Sequence, residues 1–140
     1  MKRRWITLVI LFFCASVRAE LPAQQTPEKL AQQAAESWLQ LVDSAKYEES
    51  WEAAASAFKA AVGKEDWKSA IRAARDPLGK NNARKLKEAN YTKTLEGAPA
   101  GEYVVIQYES SFEKQDSVAE TITPTLDKDG KWRVVGYYIR

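Results

Sequence analysis

Two glutamates on predicted neighbouring strands are the side chains that could serve as an acid–base pair. Glu109 and Glu120 fall in segments 103–112 and 118–126, which we expect to pair. Paired carboxylates can move protons without histidine, and burial would raise the pKa of either one. Charged side chains on half-buried strands, however, usually occupy the solvent face. We therefore expect both glutamates to be exposed and predict no catalytic residue.

After the expected export, the chain has neither histidine nor cysteine side chains for catalysis or metal binding. The sequence holds no histidine, and its one cysteine, Cys14, lies in a segment that we expect export to remove. Without these side chains, the usual catalytic triads and the commonest zinc, haem and copper ligands are missing. We predict no metal, no cofactor and no disulfide.

Three short motifs that resemble functional signatures have simpler explanations. Ser56 with Lys59 and Ser111 with Lys114 have the Ser-x-x-Lys spacing of penicillin-binding enzymes, but the other motifs of those enzymes are missing. Residues 127–130, Asp-Lys-Asp-Gly, begin like a calcium loop and lack its later ligands. This run predicts a hairpin turn.

Aromatic residues are the best candidates for binding a ligand, because aromatic rings pack against apolar molecules and sugars and attract cations. The candidate contacts are Trp38, Trp51, Trp67, Tyr108 and Tyr137. The structural alternative is stronger for the tryptophans, since most of them recur at the spacing of buried helix faces. Tyr137 and Tyr138 must point to opposite faces of a strand, so at most one of them lines the interior.

Arginines near the middle of the chain could recognise an anion. Arg72 and Arg75 lie on the predicted polar side of a helix, and Arg84 follows. A solvated helix face explains Arg72 and Arg75 more simply. We therefore expect these two side chains to be solvent-exposed.

Residues 1–19 have the pattern of an export signal. A basic cluster from Lys2 precedes thirteen mostly apolar residues over 5–17, and small residues follow before Glu20. A membrane-spanning helix would need about 20 apolar residues. We expect cleavage between Ala19 and Glu20, a periplasmic or secreted bacterial protein, and no membrane span afterwards.

Loss of this segment changes the charge of the protein. It carries four basic residues and no acidic one, so 21 Lys and Arg become 17 against 19 Asp and Glu, and the net charge becomes −2. Charges of both signs are mixed along the remaining chain, whereas polyanion binding needs clustered positive charge. Nucleic acid is therefore not an expected partner.

Helical patterns occupy the first half of the mature chain. Residues 20–27 predict an extended leader, and Thr26 before Pro27 predicts a capped helix start. Apolar residues then recur every three to four positions to about residue 45. Short helices are predicted from Tyr47 and over residues 56–62, and a longer one over 64–75 that ends at Asp76-Pro77.

Strand patterns occupy the second half, over residues 85–95, 103–112, 118–126 and 132–139. Pro124 places the third of these at a sheet edge or at a bulge. Helices followed by a four-strand meander predict an α+β fold, with N-terminal helices on one face of a curved antiparallel sheet. We expect residues 28–140 to form one such domain.

These features in order resemble a bacterial family called domain of unknown function 4019. The likeness spans about residues 34–140 and rests on Trp38, Tyr47, Trp51, Trp67, Pro77-Leu78-Gly79, Gly101-Glu102-Tyr103 and Gly136-Tyr137-Tyr138. It implies exported proteins of unassigned activity, with no catalytic residues to transfer. The element order also resembles the cone-shaped nuclear transport factor two and cystatin-like architecture, which hosts isomerases, hydratases, binders and dimerisation modules.

The sequence favours a non-enzymatic binding or interaction domain with an aromatic-lined cleft, whose partner is an unidentified small molecule or protein. One alternative is a cone-fold isomerase or hydratase that uses Glu109, Glu120 or a tyrosine. The other is a structural module that forms homodimers through its open sheet face.

Overall fold

The computed structural model describes residues 24–140. The predicted export signal over 1–19, with Cys14, and the first four residues of the predicted leader lie outside the described residues. Within residues 24–140, no helix has both the length and the apolar character to cross a membrane.

The first helix, α1, spans Pro27–Asp43 and begins as predicted. The backbone N–H of Lys29 donates to Thr26 Oγ1 at 3.4 Å, and Pro27 occupies the first turn, where its missing N–H costs nothing. The helix ends two residues before the predicted boundary. Ala45 has a φ of 57°, a left-handed conformation that an α-helix does not continue.

Three more helices follow: α2 over Tyr47–Glu52, α3 over Ser56–Ala61 and α4 over Lys64–Arg75. A 3-10 turn over Asp76–Leu78 and Gly79, with a φ of 72°, then lead the chain into the sheet. A Cβ at Gly79 would lie 2.9 Å from a carboxylate oxygen of Glu113, so this turn needs glycine.

The sheet contains β1 over Asn81–Thr92, β2 over Tyr103–Phe112, β3 over Gln115–Leu126 and β4 over Trp132–Ile139. Its order is β1-β2-β3-β4, and every neighbouring pair is antiparallel. The predicted α+β class and the meander are confirmed. The first strand begins four residues earlier than predicted, and the third begins three residues earlier.

Pro124 lies at a bulge. The register between β3 and β4 shifts between Thr123 and Pro124, and β3 is an interior strand. Of the two predicted positions for this proline, the bulge is therefore the observed one. The shift accommodates a residue that has no N–H to donate.

The helices pack on one face of the sheet, where α1 contacts all four strands. The main core lies between these layers and includes Trp38, Leu39, Trp67, Val104, Ile106 and Ile122. Tyr138 is 72% exposed, whereas Tyr137 packs against this core. The two tyrosines therefore take opposite faces, as predicted.

Candidate functional site

Three of the predicted aromatic contacts meet in the core. The ring centroid of Trp38 lies 5.7 Å from that of Trp67 and 5.5 Å from that of Tyr137. Trp38 Nε1 donates to the carbonyl of Ser50 at 2.8 Å, and Trp67 Nε1 donates to Ser50 Oγ at 3.0 Å. The indole N–H groups are therefore occupied within the protein, and Ser50 links α1, α2 and α4.

Of the other two aromatic candidates, Tyr108 belongs to the same core and Trp51 lies at its edge. Trp51 is half-buried at the edge of the core, where its Nε1 donates to the carbonyl of Val62 at 2.8 Å. The Nζ atoms of Lys59 and Lys64 lie 5.9 and 5.2 Å from its ring centroid. Tyr108 is buried on β2. The structure thus groups all five candidates in or against one core and brings three of their rings together, and their role as ligand contacts stays a prediction.

A buried carboxylate lies beside this core. Glu120 on β3 is 0% exposed. Its Oε1 accepts from Arg84 Nε at 2.8 Å and from the Ser110 hydroxyl, and its Oε2 accepts from Arg84 Nη2 at 3.2 Å and from the Tyr137 hydroxyl. The strand register places Arg84 of β1 opposite Ser110 of β2. With Glu120 of β3 and Tyr137 of β4, each of the four strands supplies one side chain to the same sheet face.

Two helix ends complete this arrangement. Arg84 also donates to both oxygens of Asp43, the last residue of α1, at 2.9 and 3.1 Å. Arg75, the last residue of α4, donates to Asp43 Oδ1 at 2.7 Å, and its guanidinium lies 4.8 Å from the Phe112 ring centroid. We call these residues the Glu120 cluster: Asp43, Arg75, Arg84, Ser110, Glu120 and Tyr137.

Burial and ion pairing shift the pKa values of Asp43 and Arg84 in this cluster in opposite directions. Burial alone would raise the pKa of the Asp43 carboxyl, but hydrogen bonds from Arg84 and Arg75 outweigh it and hold that pKa below its ordinary value. Burial would lower the pKa of Arg84, yet its bonds to Asp43 and Glu120 raise it. Burial, with the charge of Glu120, raises the pKa of Tyr137, and burial raises that of Tyr108 to about 12.

Two sequence expectations are wrong here. Glu109 is solvent-exposed as expected, but Glu120 is buried because it shares strand parity with Val118 and Ile122, which face the helices. Arg75 is 5% exposed rather than solvated, since it follows Trp67 and Ile71 at a spacing of four residues on the buried side of α4. These spacings were visible in the sequence and could have identified both residues.

The geometry of the Glu120 cluster favours a structural role over acid–base chemistry. Both oxygens of Glu120 are occupied by donors, and the side chain has no exposed surface. A general base needs an oxygen within hydrogen-bond reach of its substrate. Among the described residues, the buried polar atoms left without a partner are Arg75 Nε, Arg75 Nη1 and the Tyr108 hydroxyl.

The short motifs adopt the simpler roles. Ser56 Oγ donates to Asp127 at 2.9 Å, while Lys59 Nζ donates to the carbonyl of Glu52 at 3.0 Å, so this serine and lysine are engaged elsewhere. Residues 127–130 form the predicted turn between β3 and β4. Asp129 accepts two hydrogen bonds from Arg133, both at 2.8 Å.

An open groove runs between α1 and the β3–β4 hairpin. One cavity of about 520 Å³ lies between the start of α1 and the β3–β4 turn, and a second of about 300 Å³ continues toward the middle of the helix. Both are lined by Ala34, Lys131 and Trp132. We call this surface the α1 groove. Its further apolar walls are Pro27, Leu30, Trp38, Leu41, Leu126 and Val134.

The helical positions that face the α1 groove form a stripe distinct from the buried one. Pro27, Leu30, Ala34, Ser37 and Leu41 recur at alternating steps of three and four residues. Leu30 on this stripe is 38% exposed. The sequence predicts one apolar face that joins Leu30, Ala34 and Leu41 to Trp38 and Val42, whereas in the structure the first three line the groove and Val42 belongs to the core.

A protein-family model described as "Protein of unknown function (DUF4019)" matches residues 34–137. The chain belongs to this family. The DUF4019 match spans every member of the Glu120 cluster and confirms the resemblance drawn from the sequence. No curated protein and no solved structure matches the chain. Because the function of the DUF4019 family is unknown, membership does not distinguish binding from catalysis.

Proposed function

We propose that this protein is an exported, non-enzymatic binding domain that holds an apolar ligand in the α1 groove. The observation that carries the proposal is the pair of adjoining cavities, about 520 and 300 Å³, with apolar side chains on both walls. These volumes are in the range of small-molecule sites, about 300–1,000 Å³. Trp132 and the edge of Trp38 supply the aromatic lining.

The core is a poorer candidate for a binding site than this groove. The rings of Trp38, Trp67 and Tyr137 pack against one another, and the polar atoms beside them are engaged in internal hydrogen bonds. A ligand there would have to displace close-packed side chains, each of which contributes to stability. Binding in the open groove requires no such rearrangement.

A neutral fluorescent probe tests the proposal. We expect N-phenyl-1-naphthylamine to bind the purified protein with an increase in emission, and Leu30→Lys to weaken this binding about tenfold, because a charge then lies on the apolar wall. Leu86→Lys is the matched control, since Leu86 is 39% exposed, close to the 38% of Leu30, but lies on β1 away from the groove. Absence of binding, or equal weakening by both variants, would contradict the proposal.

The alternative functions have narrower support. The burial of Glu120 is the observation that favours a cone-fold enzyme, and a substrate would have to replace one of its four hydrogen bonds. The exposure of Tyr138 on the helix-free sheet face favours a homodimer. A monomer at every concentration in sedimentation experiments would exclude the homodimer.

A further inference from the structure

Lys131 gives the α1 groove one positive charge near its centre. This residue lines both cavities, and among residues 24–140 it takes part in no salt bridge. Asp129, two residues before Lys131 in the turn, accepts two hydrogen bonds from Arg133 at 2.8 Å. The groove therefore combines apolar walls with a cation whose charge is available to a ligand.

The other charged groups around the groove are engaged in hydrogen bonds. Arg133 pairs with Asp129 and with Asp127, at 3.3 Å in the latter case. Glu102, on the wall of the larger cavity, accepts a hydrogen bond from the Tyr91 hydroxyl at 2.8 Å. A ligand anion would consequently find its best partner at Lys131 rather than at either end of the groove.

We propose that the ligand is a single-chain amphiphile, a long alkyl carboxylate, whose anionic head pairs with Lys131 while its chain lies along the larger cavity. This inference rests on the proposed function. The chain would contact Leu30, Leu126 and Trp132, and each buried methylene adds to affinity by leaving water. The head group would remain partly in solvent beside the β3–β4 turn.

The chemistry of the walls favours an alkyl chain over an extended peptide. A peptide brings one N–H and one C=O per residue, and those groups need partners when they leave water. The side chains that line the larger cavity are mostly apolar, and its polar members are Gln25, Glu102 and Lys131.

Competition between an acid and the matching alcohol tests the inference. Decanoate and decan-1-ol have the same number of carbons, so displacement of the bound naphthylamine probe by each isolates the contribution of the head group. We expect decanoate to displace the probe at about fivefold lower concentration, which is the order of one partly exposed ion pair. This preference should fall in 1 M salt, which screens exposed charges.

Two lysine variants assign the effect to one residue. Lys131→Met keeps an unbranched apolar side chain only one atom shorter and removes the charge, so the preference for decanoate should disappear. Lys128→Met is the control, because Lys128 lies in the same turn but lines a different surface cavity. Equal displacement by acid and alcohol, survival of the preference in Lys131→Met, or displacement by neither would overturn the inference while probe binding stands. Failure of the probe itself to bind would instead overturn the proposed function.

Discussion

Arg84 lies between the buried carboxylate of Glu120 and the partly exposed carboxylate of Asp43, and it binds both of them in a bidentate manner. Its guanidinium donates to Glu120 on one side and Asp43 on the other, and Arg75 adds a second positive charge next to Asp43. The Glu120 cluster thus holds two positive and two negative side chains. Buried charges are tolerated only when they are paired and hydrogen-bonded, so each of these side chains depends on the others.

Removing the charge of Glu120 should destabilise the protein strongly. Glu120→Gln leaves two arginines against one carboxylate and places amide hydrogens where the carboxylate accepted bonds. Loss of one partner from a buried pair costs about 3–5 kcal/mol, and we expect a decrease of this order in the free energy of unfolding. Urea denaturation followed by circular dichroism measures it.

Glu109→Gln is the matched control for this variant. Glu109 is the other sequence candidate, and it is exposed and paired with Lys87 at 3.2 Å. Surface pairs contribute little, so the change in unfolding free energy should stay within about 0.5 kcal/mol. If the two variants lost equal stability, the structural role assigned to Glu120 would be wrong.

The members of the Glu120 cluster were only partly predictable from the sequence. Strand parity marks Glu120 as inward-facing because it lies between Val118 and Ile122, and helical spacing marks Arg75 because it follows Trp67 and Ile71. The pairing of Asp43 with Arg84 joins residues 41 positions apart, and it depends on where α1 lies across the sheet. Local patterns do not encode that placement.

At the scale of elements, the β3–β4 turn is linked to the start of α3. Asp127 Oδ2 accepts from the backbone N–H of Ser56 at 3.0 Å and from its hydroxyl at 2.9 Å. The residue before this helix, Ala55, has no side chain that caps it. Asp127 therefore caps α3 from a distant part of the chain, and these bonds lower the pKa of its carboxyl.

Loss of this cap should loosen α3 selectively. We expect Asp127→Ala to lower stability by about 1 kcal/mol, as the loss of a helix cap does, and to speed hydrogen exchange at the amide of Ser56. Asp129→Ala is the control, because Asp129 lies in the same turn and bonds Arg133 and the backbone of Lys131 without touching α3. Unchanged exchange at Ser56 in Asp127→Ala would refute the cap.

Element boundaries followed local chemistry wherever a capping or breaking residue marked them. Pro27 starts α1 and Asp76-Pro77 ends α4 at the predicted positions. The start of β1 was missed, since Asn81 and Asn82 lack strand propensity, and the strand begins there because Asn81 pairs with Phe112 of β2. The link between Asp127 and Ser56 was also hidden from the sequence, because it depends on tertiary structure.

At the scale of the whole molecule, the Glu120 cluster connects both layers of the fold. Asp43 and Arg75 end two helices, while Arg84, Ser110 and Glu120 belong to three strands. Protonation of one member therefore acts on the packing of the helices against the sheet. We expect the pH dependence of global unfolding to report on this cluster.

The directions of the pKa shifts predict a pH range of highest stability, with one limit in acid and one in base. The pKa of Asp43 is lower in the folded protein than its ordinary 3.8, so its contribution is present above about pH 4 and is lost as the pH falls further. The pKa of Tyr137 is higher than its ordinary 10, so its contribution is present below about pH 10 and is lost as the pH rises further. Urea midpoints from pH 2 to pH 11 should show both limits.

Variants of the two residues separate these limits. Asp43→Asn should be less stable than the wild type at pH 7, and the difference should shrink below pH 4, where the wild-type carboxyl becomes protonated. Asp127 and Asp129 also have lowered pKa values, so some loss of stability in acid should remain in this variant. Tyr137→Phe should weaken the decline above pH 10 and leave the acid limit unchanged. If the difference between Asp43→Asn and the wild type stayed constant from pH 7 to pH 2, the Asp43 charge would not stabilise the fold. Protonation weakens the bonds of the wild-type carboxylate to Arg84 and Arg75, whereas asparagine has no charge to lose.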